Sequence, residues 1–213
     1  MCHNFSLQYI THRNSTLNDI DSSKLALEGG CKWVQLRMKG YSDQEFIDNA
    51  LKLGKLCDSF GATFLLNDKA HLVNECNAHG VHLGKNDIAP SKAREMLGDK
   101  AIIGGTANTC QDIDYLVAQG VDYIGLGPFR FTTTKDNLSP VLGFEGYKAA
   151  IAHCKDKGYT TPIVAIGGIT IEDINKIMSC GVSGIALSGT ILNAQDSTQT
   201  TREIMTILAD KRK

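Results

Sequence analysis

The chain has 213 residues, 22 Lys+Arg against 23 Asp+Glu, and a formal net charge of −1. That length suits one domain with a sizeable core, and near-neutral charge without a basic run excludes an obvious polyanion-binding surface. The seven cysteines are widely spaced with no C-x-x-C, so zinc-finger spacing is absent, a disulfide framework is not expected, and the cysteines read as small core residues.

Short apolar strands alternate with helical patterns along the whole chain. Strands are predicted at Leu7–Thr11, Trp33–Lys39, Thr63–Asn67, Gly80–Leu83, Ala101–Gly104, Asp122–Leu126, Pro162–Ile166 and Ser183–Leu187. Between the second and third, Phe46, Ala50, Leu53, Cys57 and Phe60 recur at helical spacing over 42–60, behind the capping box Ser42-x-x-Glu45. Thr109-x-x-Asp112 and Thr170-x-x-Asp173 open two later helices in a related way, and Pro90 suits the first turn of another. A weak internal echo places Gly30, Gly80, Gly120 and Gly181 between a helix and the next strand, where glycine supplies the left-handed turn that ends a helix. Eight such units without a linker predict a single-domain α/β fold over 1–213, a (β/α)8 TIM barrel, with a doubly wound open sheet as the rival. No signal-peptide pattern and no apolar run of membrane length are read, so the expectation is a cytoplasmic protein with small-molecule substrates, bound to neither membrane nor nucleic acid. A homodimer is compatible with the sequence, which does not set the oligomeric state.

The chain is organised around Trp33 to Lys39, WVQLRMK. Alternation puts Gln35, Arg37 and Lys39 on one face of that strand, where an inner position calls for an anionic partner. In a barrel, chemistry gathers at the C-terminal strand ends. There strand three ends in Asn67-Asp68 and strand four runs into Gly84-Lys85-Asn86-Asp87. Strand five leads to Thr106, and the longest connection, Phe129 to Val141, holds Thr132, Thr134 and Lys135. Strands seven and eight end in Gly167-Gly168 and Ser188-Gly189. The two glycine-bearing ends expose backbone N–H groups at helix starts and suit a phosphate, although tight strand-to-helix turning also calls for glycine. Asp68 and Asp87 beside Arg37, Lys39 and Lys135 suit a magnesium-bound diphosphate; helix capping is the plainer role for each aspartate. The six histidines show no metal-ligand spacing, and His82, in mid-strand, reads as a hydrogen-bonded core residue. The Phe129–Val141 loop is expected to fold over the mouth, bringing Lys135 to the diphosphate.

These residues together resemble the thiamine-phosphate synthase family, essentially end to end. The carriers are Gln35-x-Arg37-x-Lys39, Leu66-Asn67-Asp68, Gly80-Val81-His82-Leu83-Gly84 with Asp87, Gly127-Pro128 with Thr132-x-Thr134-Lys135, Ile166-Gly167-Gly168-Ile169, and Leu187-Ser188. The resemblance implies a magnesium-assisted transferase that joins hydroxymethylpyrimidine diphosphate to thiazole phosphate, giving thiamine phosphate and pyrophosphate. It implies that Gln35, Arg37, Lys39, Asn67, Thr106 and Lys135 bind the pyrimidine diphosphate, with Arg37, Lys39 and Lys135 catalytic and Asp68 and Asp87 on Mg2+. Thr132, Thr134, Gly168, Leu187 and Ser188 would bind the thiazole phosphate. The chain departs from the family at Thr106, usually serine, at Asn108, usually histidine, and at Thr11-His12, where an aspartate is common. The alternatives are a thiazole tautomerase of the same fold, which would use a histidine near strand five, and a non-catalytic regulator that binds thiazole phosphate.

Overall fold

The computed structural model describes residues 5–131 and 140–210. Eight parallel strands close into a barrel in sequence order. They are β1 Leu7–Ile10, β2 Trp33–Leu36, β3 Thr63–Asn67, β4 Gly80–Leu83, β5 Ile102–Ala107, β6 Tyr123–Leu126, β7 Ile163–Ile166 and β8 Gly184–Leu187. Closure runs through β1 and β8, with Leu7 opposite Ile185 and Tyr9 opposite Leu187. The helices are α1 Asp19–Glu28, α2 Asp43–Ser59, α3 Pro90–Leu97, α4 Cys110–Ala118, α5 Gly143–Asp156, α6 Ile171–Ser179, α7 Gly189–Leu192 and α8 Ser197–Asp210. Among the described residues no helix is long and apolar enough to cross a membrane.

The barrel is therefore the correct choice over the open sheet, and the local signals that predicted it are present. Ser42, Thr109 and Thr170 each form a capping box with the acidic residue three positions on, and Pro90 opens α3. Three differences have physical causes. β2 ends at Leu36 rather than Lys39, because the Arg37 N–H turns to the Thr11 hydroxyl at 3.0 Å. β5 runs on to Ala107, since Thr106 and Ala107 still pair with Gly125 and Leu126 of β6. Between β3 and β4 only a 3-10 turn, Ala70–Leu72, is found, so one of the eight units lacks its α-helix. Gly80 accordingly follows no α-helix. A Cβ there would overlap the Ile102 backbone, so this glycine serves close strand approach, whereas Gly30, Gly120 and Gly181 do follow helices at positive φ.

Two apolar cores result from the alternation of strand side chains. Val34, Leu36, Phe64, Leu66, Val81 and Ile103 face outward to pack under the helices. Ile10, Trp33, Leu65, Ile102, Tyr123, Val164 and Ala186 fill the barrel interior. Burying each large side chain in these layers contributes about 1.5–3 kcal/mol. Phe5, Trp33 and Tyr123 stack inside, with ring centroids 5.1 Å (Phe5–Trp33) and 4.7 Å (Trp33–Tyr123) apart. The Tyr123 ring lies where a side chain on Gly104 would be, because a Cβ at Gly104 would overlap the ring carbons and hydroxyl. Close-packed interiors do not absorb such an intrusion. Gly104→Ala should therefore cost about 1–3 kcal/mol of stability, read as a lower urea midpoint; an unchanged midpoint would contradict this account of the packing.

Candidate active site

The ends of β2, β3 and β4 bring Lys39, Asn67, Asp68 and Asp87 of the sequence-predicted diphosphate group together on one side of the mouth. Asp68 follows β3 at φ 66°, a left-handed conformation that is uncommon outside glycine but tolerated by aspartate. Its N–H donates to the His82 carbonyl at 2.9 Å, which fixes the turn against β4. Asp87 returns from the β4–α3 connection, and its Oδ2 accepts the Gly84 N–H at 2.6 Å. The two carboxyl groups both lie over Gly84, where a Cβ would stand 3.1 Å from Asp87 Oδ2 and 3.8 Å from Asp68 Oδ1. Burial first, then the neighbouring Asp87, pushes the Asp68 carboxyl from 3.8 up to about 6, while the charge of Lys39 and a hydrogen bond from Asn67 pull it back. Neither aspartate caps a helix: Lys69 precedes the 3-10 turn and Ala89 precedes α3.

Among the described residues no three His, Cys, Asp or Glu side chains gather as a metal cage. Two carboxylates at one point, one of them disfavoured as an anion by the other, are a donor set that gains from a cation. Magnesium fits such a set, because it is commonly held by one or two carboxylates with water and phosphate oxygens completing the octahedron. Lys85 is turned away, its Nζ 2.7 Å from Asp112 Oδ2. Beside Asp87 a cavity of about 260 Å³ is lined by Gly84, Lys85, Asp87, Thr106 and Tyr115.

Gln35 and Thr106 sit on inward strand positions. Gln35 is buried, and its amide donates to Gln8 Oε1 at 3.2 Å. Thr106 Oγ1 lies 2.9 Å from His82 Nε2, so His82 has the hydrogen-bonded interior role expected of it. The Asn108 amide donates to the Gly127 carbonyl.

Across the mouth, Gly167 and Gly168 turn at φ 95° and 68°. The carbonyls of this turn are tied from outside: Phe129 N–H donates to Ile166 O at 2.9 Å and Arg130 N–H to Gly167 O at 3.0 Å. Arg130 Nη1 donates to Gly168 O at 2.9 Å. Arg130 also grips Asp173, at the start of α6, through two bonds of 2.7 and 2.8 Å; the paired carboxylate of Asp173 stays below its ordinary range despite its burial. Among the described residues the N–H groups of Gly168 and Ser188 donate to no protein acceptor. The Ser188 hydroxyl is buried without a hydrogen-bond partner. Leu187 is buried, so it could meet a ligand through its backbone alone. Thr132, Thr134 and Lys135, and with them the expected closure of the loop, lie outside the described residues.

The sequence reading missed Gln8 and Tyr123, beneath the site, and the Arg130–Asp173 pair that supports its β7 turn from outside. Gln8 and Tyr123 were open to discovery by strand alternation, as polar residues at inward positions. Arg130 carried no local signal, because its partner is 43 residues away.

Comparison with known proteins identifies the family of this barrel. The family model described as thiamine monophosphate synthase matches residues 7–191. The thiamine-phosphate synthase of Phocaeicola vulgatus is 53% identical over 201 residues, covering 94% of this chain and 97% of that one. The thiamine-phosphate synthase of Bacteroides fragilis is 52% identical over 202 residues, covering 95% and 99%. The solved structure of thiamine phosphate pyrophosphorylase from Pyrococcus furiosus superposes with a TM-score of 0.86 at 28% identity, covering 98% of this chain and 97% of that one. With the family match spanning most of its length and relatives at half identity along nearly all of it, this chain belongs to the thiamine monophosphate synthase family of transferases.

Proposed function

We propose that this barrel couples hydroxymethylpyrimidine diphosphate with thiazole phosphate, releasing pyrophosphate and forming thiamine phosphate, with magnesium held by Asp68 and Asp87. The observation that carries this reading is the division of the mouth. Paired carboxylates with Lys39 and Asn67 beside them stand on the β2–β4 side, and N–H groups of Gly168 and Ser188, without an acceptor among the described residues, stand on the β7–β8 side. The first set suits a diphosphate that arrives with a metal; the second suits a monophosphate held by neutral donors. When bound, magnesium would supply charge stabilisation to the diphosphate oxygens.

The chain's own part is binding, alignment and charge. Arg37 and Lys39 hold the departing pyrophosphate as the C–O bond breaks and the electron pair leaves with oxygen. The Gly168 and Ser188 donors keep the thiazole in place, so that its ring nitrogen donates the pair that makes the new C–N bond to the pyrimidine methylene. Thr132, Thr134 and Lys135 complete the two binding sets in this reading, and no protein nucleophile is required. A cytoplasmic location belongs to the reading as well. Asn108, whose amide is occupied at Gly127, cannot supply the imidazole that a tautomerase would use near strand five.

The direct test mixes both substrates with magnesium and measures pyrophosphate. Release that needs both substrates supports coupling, and no release with both present rejects it, leaving a regulator or a tautomerase.

The Asp68 shift has its own consequence. The folded protein holds the Asp68 proton more tightly than the unfolded chain does, so in the absence of metal this group lowers stability as pH rises from 3.8 to about 6. Magnesium needs the ionised pair, so its stabilising effect should be present above about pH 7 and fade below about pH 5. Thermal unfolding with and without magnesium at the two pH values reads this, and Asp87→Asn should abolish the difference. A magnesium shift equal at both pH values would remove Asp68 as a ligand.

The Ser188 hydroxyl gives a third expectation. A buried, unbonded hydroxyl costs about 1–3 kcal/mol, so Ser188→Ala should leave the ligand-free protein equally or more stable. It should raise KM for thiazole phosphate only several-fold, because the main-chain donor remains. Gly168→Val should do far more damage, since even a Cβ there would lie 3.0 Å from the Arg130 side chain at φ 68°. Denaturation and steady-state kinetics compare the two, and the reverse ranking would reject backbone-led phosphate binding.

A further inference from the structure

Beneath the strand ends, five polar side chains form one connected line through the barrel interior. Gln35 Nε2 donates to Gln8 Oε1 at 3.2 Å, and Gln8 Nε2 donates to the Tyr123 hydroxyl oxygen at 3.1 Å. That oxygen lies 2.9 Å from His82 Nδ1, and His82 Nε2 lies 2.9 Å from Thr106 Oγ1. Gln8, Gln35, Tyr123 and His82 are all buried. Thr106 is the member that is partly exposed, on the wall of the cavity it shares with Asp87.

The line has a direction. The Gln8 amide donates to the phenol oxygen at 3.1 Å, and its own carbonyl oxygen is occupied by the Gln35 amide. A phenol has one proton to give, and burial keeps this one protonated. His82 Nδ1, at 2.9 Å, is the acceptor placed to receive it. An imidazole that accepts at Nδ1 and is neutral carries its proton on Nε2. Nε2–H then donates to Thr106 Oγ1, and a hydroxyl that accepts on its inner side keeps its own proton for an acceptor on the outer side. A diphosphate presents only acceptors. The opposite polarity would leave the phenol proton facing the Gln8 amide donor, and would turn a lone pair of Thr106 toward an anion.

The geometry points to Tyr123 as a positioning residue: its hydroxyl proton holds His82 in the Nε2–H tautomer, which makes the Thr106 hydroxyl a donor toward the diphosphate. The inference rests on the reading that the diphosphate lies beside Thr106, and it adds a residue that touches no substrate.

Two measurements test it. The first needs no substrate: nitrogen-15 NMR of the His82 ring in the whole protein should report a protonated Nε2 and an unprotonated Nδ1. Tyr123→Phe should shift that ring toward the other tautomer. The second is kinetic. Tyr123→Phe should lower kcat/KM for the pyrimidine diphosphate about tenfold, the scale of one hydrogen bond to a charged group, with KM for thiazole phosphate unchanged. Thr106→Val should cause a similar loss, and adding Tyr123→Phe to it should cost nothing further, because both act through one hydroxyl. A proton on Nδ1 in the unaltered protein overturns the inference, even if Tyr123→Phe fails to fold. So do additive losses in the double variant, or unchanged kinetics in Tyr123→Phe. Failure of the functional reading is separately visible, as an unaltered protein that releases no pyrophosphate from both substrates.

Discussion

The interior of an eight-stranded barrel is only just wide enough for side chains, so any polar group placed there must find its partner there as well. This chain meets that constraint in layers, except at Trp33, whose buried indole N–H has no hydrogen-bond partner among the described residues. At the base, Phe5, Trp33 and Tyr123 pack ring against ring. Gly104 removes a side chain where the Tyr123 ring needs the space, and a Cβ at Gly125 would lie only 3.0 Å from the His82 ring. Above the rings, the amides of Gln8 and Gln35, the Tyr123 phenol and the His82 imidazole satisfy one another. Each of these groups buried alone would cost about 1–3 kcal/mol, so they stand or fall as a set. Only at Thr106 does the network reach the mouth, which is how a closed core comes to have a say in the hydrogen-bond polarity of a surface group.

The rim above that network is divided electrically. On the β2–β4 side, Asp68 and Asp87 are held so close that burial and mutual repulsion lift the Asp68 carboxyl to about 6. Such a pair is costly with both members ionised and no cation. On the β7–β8 side the donors are neutral N–H groups, made available because Phe129 and Arg130 occupy the outward carbonyls of the diglycine turn. In the proposed reading these two groups would form two anion sites of different chemistry, so that a diphosphate with a metal and a lone monophosphate would not compete for the same ground. Arg130 stands outside both sites and still matters to the second, since its two bonds to Asp173 join the β6–α5 connection to the first turn of α6.

The fold was legible because its signals are local. Capping boxes at Ser42, Thr109 and Thr170, Pro90 at a helix start, and short apolar runs at near-regular intervals each follow from chemistry within a few residues. The same signals misplaced the end of β2, because the Arg37 N–H is claimed by Thr11, 26 residues earlier. They also supplied a helix before Gly80 where close contact with Ile102 had drawn the glycine.

For the site, the sequence by itself determined which polar residues stand at strand ends, because the period of two in a strand and the position of each turn are properties of neighbouring residues. Asp68, Asp87, Gly168 and Ser188 were singled out in that way. The tertiary structure alone decided what those residues meet. That Asp68 and Asp87 meet over Gly84, that Gln8 reaches a phenol 115 residues away, and that Arg130 locks a glycine turn 38 residues on are consequences of closure. Closure brings strands together according to barrel geometry, and hydrogen bonds act over about 3 Å of space, whatever the separation along the chain.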